Sequence, residues 1–434
     1  MLAPGATPEG EAAAGAAARR LLPIVLALFF TWGLATVLVD IVTPKFKSLF
    51  ALSYAEATLT QFAFFIAYAV VSLPAGLLVS RIGYMRGLVL GLLVMTAGCV
   101  LFAPAARAGV FPLFLLALFV MASGIAVLQV AANPLVARLG APERASSRLT
   151  LAQTFNALGT TVGPAVGAWA ILGRDAPAPA DAATASPAML AAARQAEAAV
   201  LQGPFLAIAA GLFALAILFW SLRGSVRETP TAAVAGFGLD LLARPRLALG
   251  ALALFLYVGA EVSIGTLMVS YLEEPRVLGA DPATAGHLLS VYWGGALAGR
   301  IVGSLALRHV RAGAALAACA VAAGLLVTVS ALSHGSVAAW TLLTVGLANA
   351  ILFPTIFAMA IEGLGDRTAQ GSGIVCVAIV GGAIVPVITG TLADHAGLGT
   401  ALGVPVLCYL CVAGYGLANL RTARDVPATG PLPA

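Results

Sequence analysis

Twelve times along this chain a run of about 20 apolar residues ends in charged or turn-forming residues. Each run is long enough to cross about 30 Å of hydrocarbon as a helix. A helix is what such a segment must form, because lipid offers no partner for an unpaired backbone N–H or C=O. The runs cover roughly 21–42, 57–79, 87–105, 110–137, 150–173 and 204–223, then 247–272, 284–307, 312–332, 337–362, 371–394 and 398–421. With only 9% of residues charged, against about a quarter in soluble domains, the chain reads as an all-α polytopic membrane protein. The same composition excludes a soluble enzyme and a disordered regulator. A net charge of +5, scattered along the chain, is too little for a groove that binds nucleic acid.

A polar stretch with Arg223, Arg227, Glu228, Asp240, Arg244 and Arg246 divides the spans six and six. The expected organisation is a tail over 1–20, a six-helix bundle over 21–223, a cytoplasmic linker over 224–246, a second bundle over 247–421 and a tail over 422–434. With both termini cytoplasmic, 17 of the 23 basic residues fall in inside segments, the asymmetry that sets orientation. Glu9 and Glu11 ahead of a long first apolar run argue against a cleaved signal peptide. The loop over 174–203 reads as an insertion ending in a short surface helix before Pro204. Cys99, Cys319, Cys376, Cys408 and Cys411 lie in apolar stretches without metal-ligand spacing, and they read as small core residues.

Punctuation repeats at a nearly constant offset. Pro134 and Pro164 match Pro354 and Pro386, 220 and 222 positions on, and Gly76 and Arg81 match Gly299 and Arg308. A parallel duplication of a six-helix unit accounts for this.

Polar groups within spans are costly, so each is a functional candidate. Asp40, late in span one, is a carboxyl suited to proton or cation coupling, and Glu261, deep in span seven, is a second. Asp40 as a solvated cap and Glu261 as a structural pair are the alternatives. Glu362 and Asp394 sit at span ends and read as interfacial. Gln129 and Asn133 share one face of span four; Gln153 and Asn156 share one face of span five. Amides donate and accept, which suits a neutral ligand covered in hydroxyls, although they also join helices in membranes. Apart from Arg300, no basic residue lies within a span, so an anionic ligand is not indicated. Among the aromatic residues of the spans, Tyr292 and Trp293 are the preferred binders for the apolar face of a sugar ring.

The two-bundle layout and the stretch GLLVSRIGYMRG at 76–87 resemble the major facilitator superfamily and its loop motif between spans two and three. By that resemblance Gly76, Arg81, Gly83 and Arg86 form a cytoplasmic gate, with Ser80 where the motif often has aspartate. The run LQVAANPLVARLGAPERASSRLTLAQTFNALGTTVGP at 128–164 is similar to the signature of the fucose and glucose/galactose symporters within that superfamily. YVGAEVSIG at 257–265, YWGGALAGR at 292–300, FPTIFAMAIEGLG at 353–365 and GSGIVCVAIVGGAIVP at 371–386 extend the likeness. The resemblance implies a major facilitator fold and uptake of a neutral hexose, glucose or galactose foremost and fucose next, by cation symport and alternating access. It implies a proton as the coupled ion with sodium as the alternative, no cofactor, no metal, and a monomer in a bacterial inner membrane that binds sugar and lipid. In the fucose branch an aspartate of span one and a glutamate of span four handle protons, and a glutamine and an asparagine of span five contact sugar. Those roles map to Asp40, Gln153 and Asn156, while Gln129, which cannot titrate, stands at the glutamate position.

Two other readings compete. GxxxGPxxG at Gly159, Gly163, Pro164 and Gly167 resembles the bend motif of drug/proton antiporters, which would make the chain an efflux protein. A membrane-embedded sugar-modifying enzyme would need an acidic or metal cluster in an aqueous loop. Only Glu273, Glu274 and Asp281 are on offer there, and His287, His309, His334 and His395 are scattered.

Overall fold

The computed structural model describes residues 21–36, 54–108, 110–167, 187–224 and 236–420. All regular structure among them is helical: α1 Leu21–Thr36, α2 Tyr54–Ile82, α3 Tyr84–Ala108, α4 Phe111–Arg138, α5 Ala145–Gly167, α6 Pro187–Ser221, α7 Pro245–Glu273 and α8 Pro282–Ala306. Then come α9 Ala312–Leu332, α10 Gly335–Asn349, α11 Leu352–Ala360, α12 Thr368–Val377, α13 Gly381–Ala396, α14 Leu398–Ala401 and α15 Gly403–Ala418. Nine stretches among the described residues are long and apolar enough to cross a membrane, and Leu21–Thr36 and Phe205–Ser221 are shorter apolar helices. Large apolar side chains such as Leu332, Val387, Leu407 and Val302 stand exposed, as they must on a surface whose solvent is lipid.

Most expected spans are met to within a few residues, with three departures. The sixth helix begins at Pro187 and runs through Pro204 to Ser221, so the surface helix expected before Pro204 is continuous with the span. Spans ten, eleven and twelve are each interrupted, at 350–351, at 378–380 and at 402. The expected N-terminal tail, the end of span one and the C-terminal tail lie outside the described residues.

The helices form two compact units that are not contiguous in sequence. The first comprises Met1–Leu139, Phe155–Leu239 and Gly363–Val377; the second comprises Gly140–Thr154, Asp240–Glu362 and Ala378–Ala434. In the first, α3 and α4 pack at backbone distance, since a methyl on Gly98 would overlap the Met121 backbone and one on Gly124 that of Met95. Small residues allow such approach where lipid gives apolar side chains no reason to cluster. The Phe102 and Phe205 rings stack with centroids 3.8 Å apart and fix α3 to α6. In the second unit, Gly313 and Gly416 bring α9 against α15, and Gly259 and Gly381 bring α7 against α13. Of the cysteines, Cys99, Cys376 and Cys408 are buried as expected, whereas Cys411 is exposed on α15.

Candidate functional site

The amide residues of span four sit in the interior of the first unit. Gln129 Nε2 donates to the hydroxyl of Tyr68 on α2 at 2.8 Å. Its Oε1, and both amide atoms of the fully buried Asn133, find no hydrogen-bond partner among the described residues. α2 and α4 run in the same direction: Tyr68 is level with Gln129, and Tyr84, just beyond α2, reaches Arg138 at the end of α4. One turn on from Tyr68 and from Gln129, Ser72 and Asn133 therefore occupy the next layer. α12 borders this layer, because a Cβ on Gly373 would lie 2.6 Å from the Ser72 carbonyl oxygen. The hydroxyls of Ser72 and Ser372 are also buried without a partner among the described residues. Leaving a buried polar group unpaired costs about 1–3 kcal/mol, so this layer is a candidate for polar contents.

The span-five amides divide. Asn156 Nδ2 donates to the backbone carbonyl of Phe29 at 3.1 Å, and α1 approaches α5 there so closely that a methyl on Gly33 would overlap the Asn156 carbonyl. That N–H end joins helices. Gln153 is buried, and the boundary between the two units falls between it and Asn156.

A second polar cluster lies inside the second unit. Glu261 on α7 is surrounded by Tyr257 one turn earlier and by Arg300 on α8, whose charge acts on its carboxylate. Tyr292, one of the preferred aromatic residues, is fully buried, and its hydroxyl accepts from Asn349 Nδ2 at 2.9 Å. Trp293 meets the Tyr292 ring edge to face at 5.0 Å but is 44% exposed, with its ring edge over Gly265. The two neighbours thus point to different surroundings. Tyr409 on α15 is fully buried and has Tyr292, Asn349 and Glu261 around its hydroxyl.

Among the expected gate residues, Gly76 packs on α12, with the Ala369 carbonyl 3.0 Å from where its Cβ would stand. Gly83 takes a positive φ of 86° and lets the chain turn sharply from α2 into α3. Arg81 and Arg86 are exposed on either side of it. In the second unit Ser147, at the start of α5, donates to the Ser304 carbonyl near the end of α8 at 2.5 Å. Glu362 at the end of span ten pairs with Arg246 at the start of α7, in keeping with its expected place at a span end. Asp40 lies outside the described residues. Among the described residues no group of His, Cys, Asp and Glu is placed to hold a metal ion.

Sequence reasoning passed over Asn349, Tyr409, Ser72 and Ser372, and it did not pair Tyr68 with Gln129. A signal for the first was present: Asn349 follows Gln129 by 220 positions, the spacing of Pro134 and Pro354.

The chain matches the family model of the Major Facilitator Superfamily over residues 21–386. It is 48% identical over 396 residues to the glucose/galactose transporter of Brucella abortus biovar 1 (strain 9-941), covering 91% of this chain and 93% of that one. It is 31% identical over 422 residues to the L-fucose-proton symporter of Escherichia coli (strain K12), covering 95% and 96%. A crystal structure of the transporter FucP in the outward conformation superposes with a TM-score of 0.85 at 31% identity, covering 94% of this chain and all of that one. With two pseudo-symmetric helical units, buried polar clusters within apolar spans and relatives of matching length, this chain belongs to the major facilitator superfamily.

Proposed function

We propose that this protein is a secondary active transporter that imports a neutral hexose, glucose or galactose first and fucose next, by proton symport through alternating access. The observation that carries the reading is the layer of unpartnered amide atoms at Gln129 and Asn133 in an uncharged interior. Both donors and acceptors, with no fixed charge, match hydroxyl groups rather than an anion or a cation. The names of the relatives point the same way, since they are a glucose/galactose transporter and an L-fucose-proton symporter.

In this reading Gln129, Asn133, Gln153 and Asn156 hold the sugar, with Tyr292 and Trp293 at its apolar faces. Asp40 carries the proton and Glu261 is the second coupling group. Gly76, Arg81, Gly83 and Arg86 gate the cytoplasmic side. The protein works as a monomer in a bacterial inner membrane with both termini in the cytoplasm, and the bundles divide at the linker over 224–246.

Uptake of labelled glucose, galactose, fucose and mannose into proteoliposomes tests this, under a proton gradient and separately under a sodium gradient. Accumulation under the proton gradient is expected, and Asp40→Asn should abolish it while leaving sugar exchange. Accumulation under sodium alone would replace the coupled ion, and sugar movement only outward would revive the efflux reading. No hexose uptake under either gradient would overturn the substrate.

A further inference from the structure

The second unit repeats the amide–tyrosine pair of the first. Gln129 donates to Tyr68 and Asn349 donates to Tyr292, with nearly equal lengths of 2.8 and 2.9 Å. The partners are separated by nearly the same offset, 220 positions for the amides and 224 for the tyrosines. In both pairs the amide carbonyl oxygen is the atom left buried without a partner among the described residues. The arrangement is therefore a duplicated device: a tyrosine on the second helix of each half fixes the amide N–H end and leaves the carbonyl oxygen presented.

The second copy has additional features. α10 ends at Asn349 and α11 starts only at Leu352, so the helix is interrupted at this amide. The Asn349 backbone carbonyl is instead met by the Tyr257 hydroxyl at 3.2 Å. Interrupted helices within membranes are tolerated where the freed groups line a polar site. The Tyr409 hydroxyl has Asn349 and Glu261 around it, and Arg300 acts on Glu261; that hydroxyl, Glu261 Oε1 and Arg300 Nε are likewise buried without a partner among the described residues. Two of the four accept, Arg300 Nε donates and the Tyr409 hydroxyl does either. An anion would meet the Glu261 carboxylate and a cation would meet Arg300. A hydroxyl group donates to one and accepts from the other.

We propose that Asn349, with Glu261, Arg300 and Tyr409, forms a subsite in the second unit that reads individual sugar hydroxyls, and that Tyr292 positions Asn349. Asn349 Oδ1 accepts the hydrogen of one hydroxyl, and Tyr409 or Arg300 donates to the oxygen of the same or an adjacent one. This rests on the hexose reading and adds to it the residues that distinguish epimers. Tyr292 is then also a positioning residue, acting through its hydroxyl on Asn349.

The test is counterflow of labelled glucose in proteoliposomes holding the full chain, with competition by the series of monodeoxyglucoses. In the parent protein one deoxy isomer should compete about three- to tenfold worse than glucose, the size of one neutral hydrogen bond. Asn349→Leu should raise half-saturation for glucose by that factor and leave that isomer unchanged, since its missing hydroxyl has nothing left to lose. Tyr292→Phe should raise half-saturation with maximal rate unaltered. If Asn349→Leu does not reach the membrane, Tyr409→Phe, which removes a single oxygen, is run through the same series. Parallel weakening of every sugar would mean a purely structural network, and no shift at all would mean that the cluster holds only water; either overturns the proposal. A parent protein that moves no hexose would instead overturn the substrate reading and this inference with it.

Discussion

Spans four and ten hold equivalent places in the repeat and treat the same proline differently. α4 runs unbroken from Phe111 to Arg138 through Pro134, whereas span ten breaks at 350–351 just before Pro354. Proline removes one N–H and crowds the carbonyl four residues earlier in both cases. What differs is tertiary: in the second unit the Tyr257 hydroxyl donates to the Asn349 carbonyl at the break. The surroundings differ too. Gln129 has Tyr68, Ser72 and Asn133 nearby, while the basic residues in the last turns of α2 and α4, Arg81 and Arg138, lie far along their helices. Asn349 has Glu261 and Arg300. A duplicated scaffold thus gives one site of neutral amides and one that also holds charge.

The largest expected effect removes that charge. Glu261→Gln removes the negative charge on which the part-buried Arg300 acts, and the variant should lose up to about 3 kcal/mol of stability, the low end for a buried pair deprived of one partner. Thermal unfolding in detergent measures this, and Glu261→Gln combined with Arg300→Gln should recover most of it. Equal stability of the single and double variants would mean that the carboxylate and guanidinium do not act as a pair.

Next in size is the scaffold that presents Asn349. A methyl on Gly346 would overlap the Tyr292 carbonyl, so Gly346→Ala must push α8 away from α10. Overpacking of this kind costs about 1–3 kcal/mol. It should also loosen the Tyr292–Asn349 hydrogen bond and weaken glucose binding, read as a lower melting temperature together with a higher half-saturating concentration.

The smallest effect sharpens the contrast from the other side, by placing a carboxyl in the neutral site. In Gln129→Glu the buried side chain keeps its proton where the unfolded chain has already released its own. Stability should therefore be highest in acid and fall as pH rises above about 4.3, by about 1.4 kcal/mol in all for a one-unit rise of the buried carboxyl. Melting temperatures between pH 5 and 8 check this, and a flat profile would show that water or a cation already reaches Gln129.

Much of this protein was legible from its residues. Most span positions and the sharing of one helix face by Gln129 and Asn133 follow from apolar run length and helical spacing. Asn156 shows the limit: the amide that suits a sugar equally suits the Phe29 carbonyl, and only the Gly33 contact between α1 and α5 decides that its N–H end binds backbone. Tyr292 and Trp293 are adjacent in sequence, yet one is fully buried and the other nearly half exposed, because successive helical residues point about 100° apart.

The sequence by itself determined that this chain is a bundle of membrane helices in two related halves, since lipid leaves an apolar run of 20 residues no other way to satisfy its backbone. Only the tertiary structure decided where a helix opens, which tyrosine fixes which amide and which polar atoms are left facing one another. Those outcomes depend on what a neighbouring helix brings within about 3 Å, and residues as far apart as Tyr257, Tyr292, Asn349 and Tyr409 meet only once the helices are packed.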